Sequence, residues 1–199
     1  TMTRTAVLSR QLSLFFKYYI NILCSGVVRG VGAQETEKFS LFGRRKKKER
    51  DVHIVYAGGD DVFLLGAWDD VVELAVDLRQ AFRRFTSGKL HFSAGIGFFK
   101  EKCPVAEMAR RAGDLESYAK SRPGKDGVAL FGAAMKGRTF ADMKERTQVY
   151  GWDEFIDGVC GEKIAFLQKY FSFDGQPAEH RVAFGKSAAY RLLSLLEAK

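Results

Sequence analysis

The stretch Ile54-Val55-Tyr56-Ala57-Gly58-Gly59-Asp60-Asp61-Val62-Phe63 decides how the chain folds. Two short apolar runs, residues 52–57 and 62–66, flank its Gly-Gly-Asp-Asp turn, and apolar runs broken by a Gly/Asp turn predict a β-hairpin. Glycine supplies the positive φ that a tight hairpin needs and leaves no side chain where a phosphate could approach. Adjacent carboxylates on such a tip can take hard divalent cations through oxygen, and those ions can clamp a triphosphate. The same residues also spell a plain tight turn with two solvated aspartates. The apolar flanks and a small-faced strand downstream favour the chemical reading.

Downstream, Asp69 or Asp70 caps a helix to about Phe85, with Val71, Leu74, Leu78, Ala81, Phe82 and Phe85 as its buried stripe. Residues 90–99 alternate, predicting a strand. Leu90, Phe92, Ala94, Ile96 and Phe98 form a bulky face suited to helices; His91, Ser93, Gly95, Gly97 and Phe99 form a mostly small one with room for something on the sheet. Pro104 opens a helix to about Lys120 whose inner face is Val105, Met108, Ala112, Leu115 and Ala119, and after a turn at 121–125 comes a strand at 127–131.

Upstream, Leu8, Leu12, Phe15, Phe16, Tyr19 and Leu23 predict a helix over residues 5–23. A polar loop follows, ending in the basic run Arg44-Arg45-Lys46-Lys47-Lys48-Glu49-Arg50, a solvated segment or a nucleic-acid contact. Beyond Gly132 the composition changes. Residues 133–150 read as a connector with no firm strand. Residues 152–171 read as a helix with Phe155, Ile156, Val159, Ile164, Leu167 and Tyr170 as core candidates, and 186–198 as a closing helix after a loop at 173–184. The order is α–ββ–α–β–α–β followed by a small helical module: domains at 1–132 and 151–199, joined by the connector at 133–150.

Composition narrows the function classes. With 199 residues, 46% of them hydrophobic, the chain can bury a sizeable core and is too apolar for disorder. Lys+Arg 32 against Asp+Glu 24 gives +8, a balance that suits a polyanionic partner. The 3 cysteines, Cys24, Cys103 and Cys160, are far apart and unsuited to a disulfide framework or structural zinc, so a reducing cytoplasm is expected. His53, His91 and His180 show no metal-ligand spacing, and His53 in an apolar strand reads as packed. Arg10 and Lys17 interrupt the apolar stretch 6–24, so it does not read as a membrane span. It also lacks a small-residue cleavage site, and Leu23 is too bulky for a lipoprotein signal at Cys24.

The stretch from Ile54 to Phe63, followed by Gly66-Ala67-Trp68-Asp69, resembles the second palm domain of the large subunit of type III-A CRISPR RNA-guided effector complexes, a family that makes cyclic oligoadenylates from ATP. Ser9-Arg10-Gln11-Leu12-Ser13-Leu14-Phe15-Phe16 resembles the helix before that hairpin, and Phe92-Ser93-Ala94-Gly95-Ile96-Gly97 its nucleotide-facing strand. Ala119-Lys120-Ser121 with Gly124-Lys125-Asp126 is similar to the helix end and turn shared with cyclases of the GGDEF type. Trp152-Asp153-Glu154-Phe155 and Tyr190-Arg191-Leu192-Leu193 resemble the family's C-terminal helical domain. The likeness runs in order over almost the whole chain.

The resemblance implies an α+β fold: a ferredoxin-like palm of the nucleotide-cyclase and polymerase type, lacking its first strand, then a small α-helical C-terminal domain. It implies that Asp60 and Asp61 hold Mg²⁺ or Mn²⁺ at the ATP triphosphate, that Gly58 and Gly59 keep the tip open, that Ser93 faces the nucleotide and that Lys120 neutralises phosphate charge. A cation at a helix C-terminus also needs no ligand to explain it. Implied partners are other subunits of the ribonucleoprotein, CRISPR RNA, target RNA and ATP, with no membrane. Family members are several times longer, with an HD nuclease domain and a first palm, and no His-Asp pair for nuclease work is apparent in this chain. It opens on Thr1 and reads as a C-terminal fragment, so a gap or substitute pairing is expected between the strands at 62–66 and 90–99, with few carboxylates near Asp60 and Asp61. Two other functions fit less well. A GGDEF-type dinucleotide cyclase would carry Glu-Phe where Asp61-Val62 stands, and a non-catalytic RNA- or subunit-binding scaffold would use the basic run and the helical tail.

Overall fold

The structure is a computed structural model and describes residues 2–25, 39–41, 49–99, 101–130 and 148–170. The hairpin forms at the quoted stretch: β1 (Val52–Gly58) pairs antiparallel with β2 (Asp61–Gly66), from Val52 opposite Gly66 to Gly58 opposite Asp61. The register shifts between Ile54 and Tyr56, which leaves Val55 as an extra residue and reverses the alternation beyond it. Val52, Ile54, Val62 and Leu64 pack inward on the core, while Val55 and Tyr56 both stand exposed. His53 is exposed too. The expectation that it packs is corrected: alternation with Val52 and Ile54 turns it to the opposite face.

Two helical elements cover the inward face. The first is α1 (Met2–Leu14), running through a π-helical turn at Phe15–Tyr19 into α2 (Ile20–Ser25). The other is α3 (Trp68–Phe85). Phe15, Phe16, Ile20 and Leu23 meet Leu74, Leu78 and Phe82 in one cluster, in which the Phe82 ring lies 5.3 Å from Phe15 and 5.5 Å from Phe16. Leu8, Tyr19 and Phe85, expected inside, are exposed. Phe92 extends the cluster, 5.4 Å from Phe82 and 5.3 Å from Trp152, whose indole N–H donates to the Phe92 carbonyl at 2.9 Å.

A second sheet follows. β3 (Ala94–Ile96) lies parallel to β4 (Gly127–Leu130), and β5 (Gln148–Gly151) lies antiparallel on the other side of β4. β4 is buried along its whole length, as its uninterrupted apolar run requires of a central strand. β3 is shorter than the 90–99 expectation. β5 corrects the reading of 133–150 as strandless: its four residues carry little periodicity and owe their strand form to pairing with β4. α4 (Val105–Ala119) packs on this sheet through Leu115 and Ala119. Among the described residues the hairpin and the second sheet share no strand pair, matching the expected interruption between β2 and β3.

Leu41 and residues 153–170 fall in a separate compact unit. Its described helix is π-helical over Glu154–Lys163 and continues as α5 (Ile164–Tyr170). Phe155 and Cys160 are buried, whereas Leu167, an expected core residue, is exposed. The wider π turn carries residues downstream of Phe155 off the 3.6-residue spacing that selected Leu167. Burial pushes the Cys160 thiol up to about 11. The basic run 44–48, most of the connector and the expected closing helix at 186–198 lie outside the described residues. Among the described residues, no helix is long and apolar enough to cross a membrane.

Candidate nucleotide and metal site

β1 and β2 carry the Gly-Gly-Asp-Asp turn on the face turned away from the helices, because Val62 and Leu64 point into the core and Asp61 alternates with them. Gly59 has φ +66°, a conformation L side chains rarely adopt, and a Cβ there would meet open space. A Cβ on Gly58 would sit 2.6 Å from the Tyr56 hydroxyl, so that ring lies across the strand end. Tyr56 belongs to the site's wall although nothing in the sequence pattern singles it out. Asp60 and Asp61 are both exposed.

Lys120 follows the last residue of α4. Its ammonium lies 2.7 Å from Glu116 Oε1, and that hydrogen bond is the main reason its pKa is raised. The charges of Asp61 and Asp60 add to the rise, which puts Lys120 within electrostatic reach of the tip. The three expected charged groups are thus coupled by charge, while the ion pair Lys120 makes is with Glu116.

Ser93 is held elsewhere. Its hydroxyl donates to the Lys125 carbonyl at 2.8 Å, tying the strand to the turn after α4 rather than to the tip. The expectation of a small face with open room on the sheet is corrected at Gly95. A Cβ there would lie 2.4 Å from both the Ala112 carbonyl oxygen and the Glu116 nitrogen, so α4 occupies that face directly. Gly97 is covered by the Phe99 ring, 2.5 Å from where its Cβ would stand. The room on this face, at Gly95 and Gly97, is taken by α4 and the Phe99 ring.

Sequence reasoning missed the polar network beside Ser93. Arg79, on α3 and 4% exposed, donates through Nη2 to Asp126 Oδ2 at 2.7 Å, and His91 Nδ1 lies 3.3 Å from the same oxygen. This is a spatial His–Asp pair, but its oxygen is shared with a guanidinium, the setting of an ion-pair cluster rather than a metal ligand set. A second buried pair, Arg50 with Asp77, also receives the Phe39 N–H on Asp77 Oδ1 at 2.9 Å. Periodicity gives no sign of either pair, since a charge in an amphipathic helix reads as its wet face.

A hard divalent ion wants about six oxygen ligands. The two tip carboxylates supply the right donor type, on an exposed turn where triphosphate and water oxygens can complete the shell. Among the described residues no three His, Cys, Asp or Glu side chains converge on a metal-binding point. The residues fit such an ion in kind and cover part of its ligand set.

Comparison with known proteins bears on the fold and the family. Residues 1–129 match the family profile described as Cas10/Cmr2, second palm domain. The chain is 43% identical, over 98% of its length, to the CRISPR system single-strand-specific deoxyribonuclease Cas10/Csm1 (subtype III-A) of Mycobacterium tuberculosis, and covers 21% of that protein. It is 37% identical to the protein of the same description from Enterococcus italicus, over 98% of this chain and 20% of that one. The chain therefore spans about a fifth of these relatives. Among solved structures, the Csm1–Csm4 cassette in complex with cA4 superposes with a TM-score of 0.66 at 30% identity, covering 95% of this chain and 24% of that one. The cassette with AMPPNP gives 0.61 at 29% identity, with coverage of 95% and 24%. An α+β palm with a helical part, its first 129 residues matched by the profile, means that the chain belongs to the Cas10/Cmr2 family.

Proposed function

We propose that this chain forms the ATP-binding palm of a cyclic oligoadenylate synthase in the large subunit of a cytoplasmic type III-A CRISPR effector complex, acting on target-RNA binding. The observation that carries the reading is the exposed Asp60–Asp61 turn with Lys120 in electrostatic reach. Support comes from the Csm1–Csm4 structures bearing AMPPNP or cA4, which share this fold at about 30% identity. Those structures also make a Csm4-like subunit the expected neighbour, with CRISPR RNA and target RNA as further partners. The deoxyribonuclease activity in the relatives' names is no part of this reading.

In the proposed reaction a ribose hydroxyl oxygen bonds to the α-phosphorus of ATP, the bond from that phosphorus to the bridging oxygen breaks, pyrophosphate leaves and the hydroxyl proton passes to solvent. Positioning and charge stabilisation supply most catalysis of this kind, so no protein nucleophile is needed. Asp60 and Asp61 would hold Mg²⁺ or Mn²⁺, which when bound neutralises charge on the triphosphate. Gly59 keeps the tip free of a side chain where the phosphates would approach, and Gly58 makes room for the Tyr56 ring beside it. Lys120, its pKa raised, stays protonated throughout the neutral range and offers a fixed positive charge to the phosphates. Ser93 lines the nucleotide side of the strand.

The test uses the full-length subunit in its RNA-guided complex with ATP, Mg²⁺ and target RNA, products being resolved by mass spectrometry. Cyclic oligoadenylates are expected. Replacing Asp60 and Asp61 with alanine should lower their rate by about 10²-fold or more while assembly and target-RNA binding persist. Undiminished product from that double variant overturns the metal assignment. A cyclic dinucleotide made from GTP would instead identify a GGDEF-type cyclase, and RNA binding with no nucleotide product a scaffold.

A further inference from the structure

Resting on that reading of the site, we infer that Asp126, clamped by Arg79 and His91, is a positioning residue that sets the wall made by Ser93 and the turn after Lys120, which the proposed function turns towards the nucleotide. Three segments meet at its Oδ2: α3 through Arg79 Nη2 at 2.7 Å, the strand approach through His91 Nδ1 at 3.3 Å, and the turn that carries Asp126 itself. That turn is short and committed. It runs from Lys120 through a 3₁₀ turn at Pro123–Lys125 into β4, with positive φ at Gly124 (78°) and Lys125 (51°). Its Lys125 carbonyl accepts the Ser93 hydroxyl. Its far end is fixed by Gly127, where a Cβ would come 2.7 Å from the Ala119 carbonyl oxygen. Fixing Asp126 therefore fixes the chain on both sides of it: the Lys125 carbonyl that holds the Ser93 hydroxyl, and the entry into β4.

The clamp is costlier than a structural tie requires. Arg79 is nearly fully buried, yet among the described residues its Nε and Nη1 have no hydrogen-bond partner, and Asp126 Oδ1 is likewise buried without one. An apolar contact would hold the turn without orphaned polar groups, since a buried ion pair can often be replaced by apolar side chains at no loss of stability. What the ion pair adds is direction. A guanidinium fixes a carboxylate's position more narrowly than an apolar contact does. That is useful where a misplacement of about 1 Å can cost up to 10²-fold in rate.

Asp126→Ala alone would leave the Arg79 charge buried and bare, so the decisive variant is Arg79→Met with Asp126→Ala, which removes both charges. It is made in the full-length subunit, assembled in the RNA-guided complex, and initial rates are measured against ATP concentration. With the wall displaced, KM for ATP should rise about tenfold while assembly, melting temperature and target-RNA affinity stay near wild type. Asp126→Glu, which keeps the ion pair, should recover most of the affinity. A purely structural clamp would lower the amount of active complex, and so the apparent kcat, without moving KM. That outcome, or unchanged kinetics, overturns the inference. A wild-type complex that makes no oligoadenylate overturns the underlying function instead, a result readily told apart.

Discussion

Aspartate does opposite things in two regions of this molecule. At the hairpin tip, Asp60 and Asp61 stand in water on a turn whose Gly59 would meet nothing if given a side chain. In the middle of α3, Asp77 is 6% exposed, paired with a buried Arg50 and hydrogen-bonded to the Phe39 backbone. The tip carboxylates are open to solvent, and the Asp77 carboxylate has its partner built in. Charge left in water costs the fold little and is available for chemistry, whereas buried charge is committed to architecture and costly to disturb.

Asp77→Ala should produce the largest effect on stability. Removing one partner of a buried pair leaves the other uncompensated, which destabilises by about 3–5 kcal/mol. Urea unfolding followed by fluorescence of Trp152, 1% exposed and packed edge-on against Phe92, would report it. Arg50→Met with Asp77→Leu should recover much of the loss. A midpoint for Asp77→Ala equal to that of the native chain would erase the contrast between the two regions.

Gly95→Ala comes next and concerns packing instead of charge. The added methyl would collide with backbone atoms of α4, not with a movable side chain, so β3 and α4 must separate, at about 1–3 kcal/mol. Gly59→Ala meets no atom and is penalised only through its positive φ, so it should cost about 1 kcal/mol. Equal losses from the two, measured by the same unfolding assay, would mean that α4 does not rest on β3 as closely as the geometry has it.

These cases mark what the sequence could and could not convey. The hairpin was legible because a Gly/Asp turn between apolar runs has a local cause: positive φ and two-residue alternation require no distant partner. The tip residues were legible with it. β5 was not, because Gln148–Gly151 become a strand only through β4. Arg79 and Asp126 were not, because they lie 47 positions apart and each alone reads as a wet side chain. Gly95 was read correctly as small and incorrectly as open: alternation tells which face a residue is on, not what fills that face. The likeness to the Cas10 palm added roles to the tip but gave no warning of the clamp beside it.

The smallest effect expected is on stability when Asp60 and Asp61 are both changed to alanine. Exposed residues outside caps and cores usually shift stability by no more than about 0.5 kcal/mol, and the hairpin's inward residues Val62 and Leu64 are untouched. Lys120 should nevertheless respond. Its raised pKa rests first on the Glu116 hydrogen bond and in smaller part on the Asp61 and Asp60 charges. With both carboxylates gone the protonated ammonium loses that part of its support, so its pKa should fall towards, but not reach, the ordinary lysine value while Glu116 stays in place. The change lies in the alkaline range, so Lys120 keeps its proton at neutral pH in both proteins. Titration of Lys120 by NMR in the native chain and in the double variant measures this directly. A fall in the pKa with stability unmoved would show the tip coupled to the end of α4 by charge alone. An unchanged pKa would separate Lys120 from the tip and leave it a helix-end cation paired with Glu116.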